Sequence, residues 1–364
     1  MIEVSPLLLA LAFIIVGGIA WGLGHGRGMA RTVRLPRDYY VGLDHLINDR
    51  FDRAAEVFAR MAEVDGDAVE IQFALGSVFR RRGEVDRAIA IHTRLRGDAT
   101  AAVAQRGAFA LALDYSSAGL MDRAERLFEE LAATREYRDA ALDHLVRIHE
   151  QAGDWANALK VFHDLPAPVQ AERRRVAAHY LCELAEHALL QGDGARAESL
   201  LRQAGAHDAH LPRAQLLRAR MSAAAGDTHG ALGLYLEALE ASPGLALEII
   251  PRVLTLVGTQ GEAQLLGDLS ARLQASGRVT SRQFAWLMAT ALPSKEVLEP
   301  SGDVSSLRAL LTRMGDVGGR YQCDDCGLPS VGWYWRCPKC RAWDTLRPVV
   351  FKWAERTDEA ARAV

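Results

Sequence analysis

Two patterns of hydrophobic and polar residues divide the chain. No residue from Val4 to Gly24 is charged, and at about 1.5 Å per residue a helix of this length crosses a hydrocarbon core of about 30 Å. Beyond it, alanine and leucine are abundant, the 12 prolines are few, and runs of β-branched residues are rare. These preferences favour helix over strand. The sequence therefore predicts an apolar N-terminal helix followed by a helical body.

The charges that flank the apolar stretch predict its orientation. Glu3 and the α-amino group precede it, and it is followed by Arg27, Arg31, Arg34 and Arg37. Basic flanks stay in the cytoplasm, so we expect residues 1–25 to be a single transmembrane anchor, residues 26–37 a basic linker, and the rest cytoplasmic. A cleaved signal would need basic residues ahead of the apolar stretch. A buried core helix is the other alternative, which a stretch that is apolar on all faces directly at the terminus disfavours. Gly18 and Gly22 have GxxxG spacing, which leaves a homodimer possible.

Six similar segments follow one another in the body of the chain. Each is centred on a small residue, and the spacings between these residues are 34, 36, 34, 39 and 34: Ala54, Ala88, Ala124, Ala158, Ala197 and Ala231. A period of 34 is the length of a tetratricopeptide repeat, a hairpin of two helices. Leu75, Gly76 and Phe79 have the offsets that this repeat uses in its first helix. The pattern resembles the tetratricopeptide family and predicts a superhelical solenoid over residues 38–245.

Glycines mark the turns of these predicted hairpins, a few residues before each second helix: Gly83, Gly119, Gly153, Gly192 and Gly226. The 39-residue step contains an insertion near the sequence PAPVQ, and Pro243 closes the sixth repeat. The pattern is faint afterwards, so we expect residues 246–318 to form further helical pairs that cap the solenoid. Stacked repeats present a binding groove, in which Arg80, Arg81, His144 and Arg147 would meet an acidic peptide or form a solvated face.

Four of the five cysteines form two CxxC pairs near the end of the chain. The pairs are Cys323 with Cys326 and Cys337 with Cys340, ten residues apart. Four thiolates suit one structural zinc or iron ion, and they leave it no open position for hydrolysis. Two disulfides are the alternative, which a reducing cytoplasm disfavours. We expect a small metal domain over residues 319–350, folded only with its metal, and a tail over residues 351–364.

The remaining composition excludes several classes of protein. Apolar residues make up 49% and charged residues 24%, and 43 Lys and Arg against 46 Asp and Glu give a net charge of −3. These values exclude wholesale disorder and a polybasic nucleic-acid binder. Trp333, Tyr334 and Trp335 are expected to pack the metal domain and dock it on helices, and Cys182 to be a core residue. No P-loop, HExxH, GxSxG or kinase motif is present, so catalysis is not predicted.

The order of these parts resembles the lipopolysaccharide assembly protein B family. The most specific segment is residues 321–348, with YQCDDCG, CPKCRAW and TLRP. The resemblance implies an all-α tetratricopeptide solenoid with one N-terminal transmembrane helix and a small C-terminal rubredoxin-like domain. It also implies that the family's four metal ligands are Cys323, Cys326, Cys337 and Cys340.

The function that this resemblance implies is that of a non-enzymatic adaptor in the bacterial inner membrane, with its N-terminus in the periplasm. The family works with a membrane-bound AAA+ zinc protease that degrades the lipid A deacetylase, and an inner-membrane regulator facing the periplasm restrains it. Other lipopolysaccharide assembly proteins are further expected partners. A general scaffold for an envelope assembly complex and an iron tetrathiolate redox protein remain the alternatives.

Overall fold

The computed structural model describes residues 36–64, 68–257 and 321–349. The chain divides into two compact units, Met1–Ala141 and Leu142–Val364. In the described parts, no helix combines the length and apolar character that a membrane span requires. The predicted anchor, nearly all of the basic linker, most of the predicted capping helices and the whole tail lie outside the described residues.

The first unit consists of helices in its described part. Their bounds are α1 Arg37–Ile47, α2 Phe51–Val64, α3 Val69–Arg81, α4 Val85–Arg96, α5 Ala101–Ser117 and α6 Met121–Ala132. Sequential helices pack as antiparallel pairs, and Tyr39 meets Phe58 edge to face at 5.6 Å between ring centroids. One buried core cluster therefore joins α1, α2 and α3 at the start of the unit.

The second unit combines helices with a small sheet. The helices are α7 Arg138–Ala152, which begins just before the unit boundary, α8 Trp155–Asp164, α9 Ala167–Glu172, α10 Arg174–Leu190, α11 Gly194–His207, α12 Pro212–Ala224, α13 Thr228–Ala241, a 3₁₀ turn Pro243–Leu245 and α14 Ala246–Val257. The strands are β1 Tyr321–Cys323, β2 Pro329–Ser330 and β3 Leu346–Pro348. Residues 321–349, which we call the ribbon, contain this sheet, so the chain is mostly helical and not all-α as predicted.

The aligned residues of the repeats occupy the positions that a tetratricopeptide hairpin requires. All six aligned alanines are completely buried, since only a small side chain lets the two helices of a hairpin approach closely. The five turn glycines have φ between +71° and +81°, a conformation that glycine adopts without strain. The insertion in the 39-residue step forms the short helix α9. The body is therefore built of tetratricopeptide hairpins.

One repeat carries a polar group where most of the others have a buried aromatic ring. His92, four residues after Ala88, is completely buried, and a Cβ on Gly76 would lie 2.5 Å from its Nε2. Asp114 is buried beside it: Oδ1 accepts from Arg80 Nη1 at 2.7 Å, and Oδ2 lies 2.5 Å from His92 Nδ1. Arg80, which was predicted to line the binding groove, therefore forms an ion pair with a buried carboxylate.

Gly107 provides a test of the close approach between α4 and α5. A Cβ at this position would lie 2.5 Å from the backbone nitrogen of Arg96 and 2.7 Å from the carbonyl carbon of Leu95. Because backbone atoms cannot move aside as a side-chain tip can, we expect Gly107→Ala to lower the free energy of unfolding by about 1–3 kcal/mol. Urea denaturation measures this value.

The matched control is Gly205→Ala in α11, where an added Cβ would have no atom within 4 Å. We expect this control to keep or raise stability by up to about 1 kcal/mol, since alanine favours helix. Equal effects of the two substitutions would contradict the packing described for α4 and α5.

Candidate metal centre

The ribbon brings its two CxxC segments together through a short antiparallel sheet. Its strand order is β2-β1-β3, with Tyr321 opposite both Ser330 and Pro348, and Cys323 opposite Leu346. The first CxxC segment begins at the end of β1. The second lies between Arg336 and Trp343, which form an isolated antiparallel bridge.

The four predicted ligands meet at one point. Their Sγ atoms all lie within 4.8 Å of one another, with 3.6 Å between Cys323 and Cys340 and 3.6 Å between Cys326 and Cys337. All are free thiols, and the structure pairs none of them in a disulfide. Four convergent sulfurs are the donor set that zinc and iron accept in closed structural sites. The site therefore fits one metal ion, which two residues from each CxxC segment could hold.

The two CxxC turns share one backbone geometry. Gly327 follows the second cysteine of the first turn with φ +71°, and its N–H donates to the Cys323 carbonyl at 3.0 Å. Arg341 has the equivalent place in the second turn, with φ +63° and an N–H that donates to the Cys337 carbonyl at 2.9 Å. Glycine adopts this conformation without strain, whereas arginine rarely does.

The surroundings of the thiols favour the ionised form at one of them. Burial alone would raise the pKa of Cys323, but hydrogen bonds from the Thr345 hydroxyl and from the N–H groups of Cys326 and Asp325 outweigh it and set the pKa at about 6. At Cys340 a hydrogen bond from the Ala342 N–H lowers the pKa, yet burial and hydrogen bonds with the other three thiols raise it to about 12. Four thiolates within 4.8 Å of one another would also repel each other, so a cation at their centre would favour the ionised form.

A carboxylate on α7 fixes the second CxxC turn to the helices. Glu150 Oε1 accepts from the Tyr180 hydroxyl at 2.6 Å and from Trp343 Nε1 at 3.1 Å. Arg336 donates through Nη2 to Glu150 Oε2 at 3.2 Å and through Nη1 to the Glu150 carbonyl at 2.7 Å. The Arg336 guanidinium also lies over the rings of Trp155 and Trp343. Helices and ribbon thus share a largely buried polar network.

A second carboxylate, this time on the ribbon, contacts α10. Asp344 Oδ2 accepts from Arg175 Nε at 2.6 Å and lies 2.8 Å from His179 Nε2, while the His179 ring stacks on Trp343 at 4.9 Å between centroids. Burial would raise the pKa of Asp344, but the hydrogen bonds and charges of His179 and Arg175 lower it. The carboxylate is therefore ionised at neutral pH and attracts both side chains.

Apolar packing completes the docking of the ribbon. Tyr321, Cys323, Cys337 and Leu346 belong to one buried cluster with residues of α12, α13 and α14. Tyr321 also donates to Glu248 of α14 at 3.3 Å. The sequence predicted that aromatic residues dock this domain, which Trp333 and Trp335 do. Tyr334 does not take part, because it is 48% exposed.

Other residues that the sequence singled out contribute to the packing and ion pairs of the helices. Cys182 is completely buried in the core of α10, and burial raises the pKa of its thiol to about 12, as expected of an inert core residue. Arg147 pairs with Asp143 at 2.7 Å. Glu150 could not be recognised from the sequence, because the three residues that donate to its carboxylate come from distant parts of the chain.

Glu150→Gln tests the network between α7 and the ribbon. The substitution keeps the shape but removes the charge that faces Arg336, so we expect a loss of about 2–3 kcal/mol in unfolding free energy. We also expect faster transfer of metal to a chelator, measured by a colorimetric zinc or iron indicator. Glu129→Gln, an exposed acid on α6, is the control. Wild-type stability and metal release in Glu150→Gln would contradict this network.

Comparison with known proteins agrees with this architecture. Residues 321–348 match the family model described as rubredoxin metal binding domain, and residues 42–102 match the tetratricopeptide repeat model. Lipopolysaccharide assembly protein B of Escherichia coli strain K12 is 30% identical over 389 residues, covering 96% of this chain and 98% of that protein. The protein of the same name from Haemophilus influenzae is 26% identical over 400 residues, with the same coverage. With tetratricopeptide hairpins, a convergent tetrathiol site and relatives matched over nearly its whole length, this chain belongs to the lipopolysaccharide assembly protein B family.

Proposed function

We propose that this protein is a membrane-anchored cytoplasmic adaptor that modulates lipopolysaccharide synthesis. It recruits a biosynthetic enzyme to a membrane-bound AAA+ zinc protease and so controls the turnover of the lipid A deacetylase. The observation that carries the proposal is the full-length relationship to proteins named for lipopolysaccharide assembly, combined with a body of tetratricopeptide hairpins. Such hairpins are binding scaffolds, which suits recruitment better than catalysis.

The anchor gives this adaptor its physical advantage. Residues 1–25 would hold the helical body at the cytoplasmic face of the inner membrane, with the N-terminus in the periplasm and the basic linker inside. Confining the body to the surface where protease and enzymes meet raises their effective concentration without any new contact. The anchor would also offer a surface to an inner-membrane regulator that faces the periplasm.

The ribbon has a structural part in this proposal. A metal ion at Cys323, Cys326, Cys337 and Cys340 would supply a cross-link between the two CxxC turns. The protein's own residues do the rest: Glu150 and Asp344 bind the second turn to α7 and α10. The ribbon thereby restrains the helices that would form part of a partner-binding surface.

The half-life of the lipid A deacetylase in living cells tests the proposal. We expect depletion of this protein to lengthen that half-life, measured by immunoblot after protein synthesis is stopped. Restoring the wild-type gene is expected to shorten it again, whereas a variant lacking residues 1–25 should accumulate as folded protein without doing so. An unchanged half-life on depletion would contradict the proposed role.

A further inference from the structure

A groove rich in tryptophan lies between the ribbon and the helices, apart from the thiols. Its volume is about 680 Å³, and it is bounded by α10, the start of α12, the 3₁₀ turn and the ribbon. Three half-buried tryptophans and three prolines line it: Trp333, Trp335, Trp343, Pro212, Pro243 and Pro348. We call it the tryptophan groove. Partly exposed rings gathered in one concave surface are typical of a site that binds another group.

The charged side chains of the tryptophan groove do not select an ion. Two acids and two arginines line it, so their charges cancel: Glu172, Asp344, Arg175 and Arg347. Arg175 and Asp344 also pair directly at 2.6 Å, and His179 lies 2.8 Å from the same carboxylate. The feature that remains is the set of exposed ring surfaces, whose transfer out of water is favourable. The tryptophan groove therefore suits an apolar side chain.

The residues that follow the ribbon, 350–364, contain such side chains in a regular pattern. Small or apolar residues recur at alternating spacings of four and three: Val350, Ala354, Thr357, Ala361 and Val364. Trp353 falls on the same side of a helix, and the charged residues fall outside it. The pattern predicts an amphipathic helix whose largest apolar side chain is Trp353. The apolar side of such a helix is stable only when it packs against another element.

The tryptophan groove lies within reach of this segment. Pro348, at the end of β3, lines the groove, and Trp353 follows it by five residues, which span up to about 17 Å. Pockets of about 300–1,000 Å³ enclose ligands of drug size, so a volume of 680 Å³ admits an indole ring. A segment attached at the rim of the groove also has a high effective concentration there, whereas a separate partner loses translational freedom on binding.

We propose that residues 350–364 dock in the tryptophan groove through Trp353. The docked segment covers the three tryptophans of the ribbon. It adds a contact between the ribbon and the helices that does not depend on the metal, and it closes the groove to peptides of other proteins.

Hydroxyl-radical footprinting of the full chain in lipid nanodiscs tests this proposal, because it measures the exposure of individual side chains without a detergent that competes for the groove. We expect Trp353 to be oxidised slowly in the wild type. In Val176→Arg, which places a long charged side chain in the groove, Trp353 should be oxidised several-fold faster. Trp353→Ser should in turn raise the oxidation of Trp335 and Trp343 several-fold.

Two substitutions are matched controls. Leu190→Arg adds the same charge to α10 at a position that is 85% exposed and outside the groove. Lys352→Ser changes a neighbour of Trp353 on the other side of the predicted helix. Both should be oxidised as the wild type is. Circular dichroism and bound metal establish that each variant is folded, and if Val176→Arg fails to fold, Trp353→Ser decides.

Three results overturn the proposal. The first is fast oxidation of Trp353 in the wild type, and the second is slow oxidation of Trp353 in folded Val176→Arg, which would mean that the ring is buried elsewhere. The third is wild-type oxidation of the groove tryptophans in Trp353→Ser. Protection of Trp353 that is lost on dilution would assign the groove to residues 350–364 of a second copy, and it also contradicts docking within one chain.

Discussion

Cys337→Ser is expected to abolish tight metal binding and to release the ribbon from the helices. Cys337 is 1% exposed, and its sulfur lies within 4.8 Å of the other three. Three thiolates hold a structural metal weakly, and metal binding in such domains contributes about 10–16 kcal/mol to folding. The folding free energy lost with the metal therefore exceeds what the short sheet can contribute to the stability of the ribbon. We expect metal per chain, measured by mass spectrometry of the elements, to fall from one to nearly zero.

Cys182→Ala is the matched control for this experiment. It also removes a buried thiol, but one in the core of α10, so it should keep the full metal content and lose about 1 kcal/mol of stability. Absorption spectra of the wild type identify the metal, because a ferric tetrathiolate is coloured and zinc is silent. A Cys337→Ser protein with one tightly held metal ion and a wild-type unfolding midpoint would contradict the proposed site.

Asp114→Ala is expected to lower the unfolding free energy of the first unit by about 3–5 kcal/mol. The carboxylate is completely buried and accepts from Arg80, which is 18% exposed, while it also faces the buried His92. Removing it leaves the Arg80 guanidinium with only the Ala110 carbonyl, 3.4 Å from its Nη1, and leaves Nδ1 of the buried His92 without its partner. Urea denaturation, followed by helical circular dichroism, measures the change.

Asp86→Ala provides the control, since Asp86 is exposed in the first turn of α4. Its loss should cost less than about 1 kcal/mol, the usual effect of an acid near a helix N-terminus. If Asp114→Ala were no more destabilising than Asp86→Ala, the buried network would not contribute to stability as described.

The helical body was predictable because its signals are local. The aligned alanines and turn glycines each meet a steric demand of a single hairpin, so their spacing alone predicted the tetratricopeptide fold. His92 and Asp114 were not predictable, because their partners come from neighbouring repeats, and pairing between repeats leaves no periodic signal. The domain boundaries expected from the sequence remain predictions.

The convergence of the four thiols was predictable from the sequence, but the attachment of the ribbon to the helices was not. The spacing within each CxxC segment brings its two sulfurs close together. The sequence alone therefore predicted that Cys323, Cys326, Cys337 and Cys340 meet at one site. Glu150 accepts from Tyr180, Arg336 and Trp343, which lie 30, 186 and 193 residues away. Such a contact depends on how the ribbon docks, and docking is not determined by local spacing. The sequence therefore revealed the metal domain but not the helices that hold it.

Hydrogen–deuterium exchange on the full chain, with and without chelation of its metal, tests most directly whether ribbon and helices form one metal-dependent unit. The account predicts faster exchange after chelation in residues 321–349, and also in α7 around Glu150 and α10 around His179. Exchange in α2 to α4 should not change. Faster exchange confined to the ribbon, or no change on chelation, would contradict the central claim.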